Sequence, residues 1–96
     1  MKKRLFYISM ALSLLAVPAS AACYADYKAK KGKPLQLHYG VMQLPDAACA
    51  SKRAAAAAIA PRLANAGWTL LNVVSTFDRN GLAKRKKSAG SYFLRF

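Results

Sequence analysis

The stretch NAGWTLLNVVSTF, residues 65–77, decides the fold. It holds no charge, in a chain with 16 lysines and arginines against 3 acidic residues. Before it, Ala47 to Ala66 is alanine-rich and strongly helix-forming. On a helical wheel Ala55, Ala56, Ile59, Leu63 and Ala66 form one stripe, and Pro61 falls on the solvent side with Arg53, Ala57 and Asn65. Asp46 reads as the helix cap, and Gly67 as the left-handed residue that ends the helix. From Trp68 to Phe77 strand formers dominate, with imperfect alternation: Leu71, Val73 and Phe77 face one way, Trp68, Leu70 and Val74 the other. A strand apolar on both faces is central in a covered sheet or half of an interface. A homodimer or protein complex through Trp68, Leu70, Val74 and Phe93 is therefore expected.

Upstream of the helix, LQLHYGVMQL (35–44) alternates, with Leu35, Leu37, Tyr39 and Val41 on one face and Gln36, His38, Gly40 and Met42 on the other. That pattern predicts a half-buried strand. Before it, ADYKAKKGKP (25–34) is rich in lysine and ends on Gly32 and Pro34, and reads as a flexible basic arm. Downstream, DRNG (78–81) is a hairpin turn signal, LAKRKKSAG (82–90) a basic loop and SYFLRF (91–96) a terminal strand. The expected fold is α+β: a small two-layer β-α-β-β domain over 35–96, with one helix across one face of a three-stranded sheet.

The chain opens MKKRLFYISMALSLLAVPASAAC. Three cations, an apolar run from Leu5 to Val17 and Ala19-Ser20-Ala21 are the layout of a secretory signal peptide over 1–21, with the mature chain starting at Ala22. The rival reading is a lipobox that anchors the chain through Cys23, although lipoboxes usually carry leucine where Ser20 stands. The net charge of +13 becomes +10 without Lys2, Lys3 and Arg4. Residues 22–34 form the basic arm and 35–96 the domain. So short a chain needs a staple, and Cys23 and Cys49 read as one disulfide in a secreted or periplasmic protein.

Residues 35–96 resemble a small bacterial family of unknown function, whose members read roughly L-N-x-x-G-x-x-G-W-E-L-V-S-V, then a loop, then an aromatic-rich strand ending in a basic residue. Leu63, Gly67, Trp68, Leu70, Val73 and the YFLRF end carry the resemblance, while Thr69 and the long basic loop depart from it. The resemblance implies the strand-helix-strand-strand fold and assigns no activity.

The inventory for catalysis is thin, with one histidine, three aspartates and no glutamate. Asp26 lies in the arm, Asp46 at the cap and Asp78 at a turn, so no carboxylate pair is placed for acid–base work. His38 has no cysteine or carboxylate at ligand spacing and reads as a sheet-surface histidine. Cys49 near a helix start is a weaker candidate for a reactive thiol than for a disulfide. The reading is non-enzymatic, with no metal and no cofactor. The C-terminal YFLRF looks like the closing strand of an outer-membrane barrel, but the mature chain is too short for eight such strands.

The basic segments carry the functional signal. Lys28, Lys30, Lys31 and Lys33 lie in the arm, and Arg79, Lys84, Arg85, Lys86 and Lys87 in or beside the expected hairpin tip. Such runs attract phosphate-bearing partners. Outside the cytoplasm these are lipid head groups, lipopolysaccharide and other envelope polymers. Nucleic acid is the weaker reading, because no aromatic RNA-binding motif or helix-turn-helix pattern is present.

Overall fold

A computed structural model describes residues 23–96. The expected signal peptide and its cleavage site lie outside the described residues. Three strands, β1 (Cys23–Lys31), β2 (Gln36–Leu44) and β3 (Thr69–Phe77), form an antiparallel sheet in the order β2-β1-β3. Helix α1 (Lys52–Asn65) packs on one face, and the short helix α2 (Ala83–Ala89) lies against part of the other. The α+β class, the three-stranded sheet and the helix across its face are as expected. The order of elements is not: it runs β-β-α-β-α, and the third strand comes from the supposed arm.

Strand β1 is the central strand. Cys23, Ala25, Tyr27 and Ala29 point toward α1 and are buried, while Lys28 and Lys30 point the opposite way and are exposed. A strict small-or-apolar against charged alternation runs from Ala25 to Lys30, which satisfies the period of a strand. The lysines are the solvated half of that pattern and not the sign of a flexible segment.

In β2 the buried face is the one carrying His38, Gly40, Met42 and Leu44, whereas Leu35 and Leu37 are exposed. The expected orientation is thus reversed over the first half of the strand. Gly40 explains how a face lacking bulk becomes core. A Cβ there would lie 2.5 Å from the Tyr27 hydroxyl, so the missing side chain is what lets the Tyr27 ring cross from β1. Val41, on the other face, is buried beneath α2 with Tyr24 and Ala89.

Helix α1 begins at Ser51, whose Oγ accepts from the Ala54 amide at 3.0 Å, and not at Asp46, which opens a 3₁₀ turn (Asp46–Cys49). Ala55, Ile59 and Leu63 form its buried stripe, and Pro61 is exposed within it, as the wheel requires. Gly67 has φ +85°, and the amides of Gly67 and Trp68 donate to Ala64 O (3.0 Å) and Leu63 O (2.9 Å). These two bonds are the Schellman termination, and Trp68 packs in the same core as Leu63.

Two bulges in β3 account for its imperfect alternation. Asp26 pairs with Ser75 but Tyr27 with Val73, and Lys28 pairs with Asn72 but Ala29 with Leu70, so Val74 and Leu71 are extra residues. Val73 and Leu70 thereby reach the α1 face together, three positions apart. β3 is an edge strand. After it, Asp78 Oδ1 accepts from Asn80 N at 2.9 Å and starts a 3₁₀ turn, which leads into α2 where a hairpin tip was expected. Leucine, alanine, lysine and arginine are all good helix formers, and the charge of the segment masks that propensity. In place of the expected terminal strand, the final residues form a 3₁₀ turn (Gly90–Tyr92) and a short tail whose one backbone hydrogen bond to β2 runs from the Leu94 amide to Val41 O, 2.8 Å.

The Cys23–Cys49 disulfide is present and ties the start of β1 to the turn before α1. Cys23 Sγ, the atom a lipid anchor would use, is occupied by it. A loop of that length is worth about 3 kcal/mol against the unfolded chain. No helix among the described residues is long and apolar enough to cross a membrane.

Candidate functional site

Two polar side chains are enclosed, one on each side of the sheet. Asp26, on the face that α2 covers, accepts from Ser75 Oγ (2.6 Å), Tyr39 Oη (2.7 Å) and Arg85 Nε (3.0 Å). Burial pushes its carboxyl up, but these hydrogen bonds and the guanidinium charge outweigh burial and hold it below the ordinary 3.8. Arg85 also donates to Gly81 O (2.8 Å) and lies 3.9 Å over the Phe77 ring. Gly81 is needed for that approach, since a Cβ there would meet the Phe77 ring at 2.7 Å and Arg85 at 2.8 Å. Arg85 is therefore a structural cation that pins α2 to the sheet, not a freely sampling member of a basic loop.

His38 lies on the α1 face and is buried, contrary to a surface placement. Nε2 is 2.9 Å from Tyr27 Oη, Tyr92 stacks on the ring at 3.8 Å, Trp68 meets it edge-on at 4.3 Å, and Phe96 lies at 5.9 Å. Nδ1 is buried without a hydrogen-bond partner. Burial, with the nearby Arg95 charge adding to it, pushes the imidazole below its ordinary 6.5. Burial also raises the Tyr27 hydroxyl to about 12. Enclosed by these aromatic rings, His38 holds the C-terminal tail on the sheet. Among the described residues no group of three or more His, Cys, Asp or Glu could hold a metal ion.

The expected interface residues do not form one patch. Trp68 is only 6% exposed, lies in the core beneath α1 and carries Lys31 Nζ 4.9 Å over its ring. Leu70 packs against that same core, whereas Phe93 packs with Tyr24 and Val41 on the other side. Val74 is exposed at a bulge. Lys31, half-buried over Trp68, is likewise taken by the fold.

The remaining cations expected to bind anions fall into two exposed sets. Lys28, Lys30 and Lys33 occupy the outer half of the β1–β2 hairpin, and Lys84, Lys86 and Lys87 lie on α2 with Arg79 just before it. The only ion pair among the described residues is Arg85–Asp26, so none of these cations is neutralised by a carboxylate. Where α2 leaves the sheet uncovered, Lys28, Leu37, Tyr39 and Leu71 line an open depression of about 330 Å³. Leu37 faces Lys30 across the strands, and Tyr39 faces Lys28. Sequence reasoning found the lysines but missed the leucines beside them, because Leu35 and Leu37 read as the buried half of an amphipathic strand. The strict alternation of β1, which points Lys28 and Lys30 away from α1, was the available signal. No known protein family, curated protein or solved structure matches this chain.

Proposed function

We propose that the protein is a small, basic, non-enzymatic binding module of the cell envelope, secreted or periplasmic, that docks on anionic components such as lipid head groups or lipopolysaccharide. The observation that carries this reading is the concentration of Lys28, Lys30 and Lys33 at one end of the sheet, exposed and without a carboxylate partner. A signal-like amino terminus and a disulfide support an oxidising destination, where such anions abound. Each cation near an anionic surface contributes about 1 kcal/mol before screening, so the three on this hairpin contribute about 3 kcal/mol together and the exposed cations of α2 add to it.

The experiment compares two triple variants with the parent for binding to purified lipopolysaccharide at low and high salt. Replacing Lys28, Lys30 and Lys33 with glutamine should weaken binding at least about tenfold, and salt should erode what remains, because the Debye length falls from about 10 Å at 0.1 M to about 3 Å at 1 M. The matching variant at Lys84, Lys86 and Lys87 reports the share of α2. If both variants bind as the parent does, or the parent does not bind at low salt, the reading fails.

A further inference from the structure

We propose that the open half of the sheet's second face is a bilayer-docking face, where Leu37, Leu71 and Leu35 enter the boundary between head groups and acyl chains while Lys28, Lys30 and Lys33 meet lipid phosphates. This rests on the envelope-binding reading and narrows its ligand from any polyanion to a lipid surface.

Leu35, Leu37 and Leu71 are 64%, 65% and 47% exposed, the largest exposures among the large apolar side chains of the described residues. They are not scattered. Leu37 and Leu71 line one depression together with Lys28, and Leu35 stands at the hairpin end between Lys33 and Leu37. Leu71 reaches this face because it is the extra residue of a bulge, a device that re-aims a side chain. A soluble polyanion has no use for three exposed leucines among lysines. A second copy of this chain is disfavoured on the same face, since it would set Lys28 and Lys30 against their counterparts. An anionic bilayer matches both halves of the surface, taking cations at its phosphates and leucines below them.

The test uses the oxidised, purified protein and the double variant Leu37→Ser/Leu71→Ser, whose exposed sites leave folding intact. Binding is measured on vesicles of equal parts phosphatidylglycerol and phosphatidylcholine, and separately on soluble polyphosphate. Loss of at least about tenfold on vesicles, with polyphosphate binding unchanged, supports the proposal. Equal vesicle binding by parent and variant overturns it and leaves electrostatic docking standing. Equal losses on both ligands also overturn it, because the leucines then serve no lipid-specific purpose. A parent that forms a dimer or captures a protein through these leucines, shown by light scattering that the variant abolishes, overturns it as well. If the parent binds neither ligand, the envelope reading itself fails and the proposal with it. As an independent readout, Leu37→Trp fluorescence should shift to the blue on anionic vesicles and stay unchanged with polyphosphate.

Discussion

Asp26 and Arg85 show how a residue's role depends on what the chain brings beside it. They lie 59 positions apart and meet at 3.0 Å, so nothing local in the sequence pairs an arm aspartate with one arginine of a basic run. Asp26→Ala leaves the Arg85 charge part-buried without its partner and should cost about 3 kcal/mol in chemical denaturation. Lys84→Ser, Lys86→Ser and Lys87→Ser, all at exposed positions, should each stay within about 0.5 kcal/mol of the parent. Equal costs at Arg85 and its lysine neighbours would contradict the assignment. His38 yields a pH prediction. Its folded pKa is depressed below 6.5, so the unfolded chain binds the proton more tightly. Stability should be greatest above 6.5, fall as pH drops below it by up to about 1.4 kcal/mol per unit, and level off below the folded value. Asp26 is also depressed, so its contribution is present above 3.8 and is lost as pH falls from there through its folded value. His38→Gln should remove the upper transition, followed as the melting temperature across that range.

Among the elements, α1 and its termination were legible because each depends on a few neighbouring residues. Ala55, Ile59 and Leu63 sit at helical spacing, and Gly67 stands where a left-handed residue is required. Gly67→Ala would make only ordinary contacts, its Cβ no closer than 3.7 Å to Lys31 Cε, so the cost is conformational and about 1 kcal/mol. Gly40→Ala is different in kind. Its Cβ would strike Tyr27, and overpacking there should cost about 1–3 kcal/mol. Near-ultraviolet circular dichroism should report the second and not the first, because only the second moves an aromatic ring. The elements that were not legible share a cause. In β1 and α2 lysines fill the solvent side of a regular pattern, and counting charge hides the periodicity of the residues between them. In β3 two bulges convert a period of two into a spacing of three, which no periodic template anticipates.

At the scale of the molecule, two helices, three strands and a disulfide hold a chain too small for a large core. Reduction of Cys23–Cys49 should lower the unfolding free energy by about 3 kcal/mol, which denaturation with and without reductant will measure. The functional surface was half legible: the lysines could be read, but their company could not, because Leu71 and Leu37 become neighbours of Lys28 only once β1 takes the centre of the sheet. That arrangement also separates the charged residues into pinned and available sets. Arg85 and Lys31 are held by Asp26 and Trp68, while Lys28, Lys30 and Lys33 remain free to meet a partner. The most direct measurement of that claim is a residue-resolved amide NMR titration of the oxidised protein with lipopolysaccharide at low salt. The account predicts shift changes concentrated from Lys28 to Leu37 and at Leu71, with the core amides of α1 unmoved. Saturating lipopolysaccharide that moves no amide, or moves only α2 and the C-terminal tail, would contradict it.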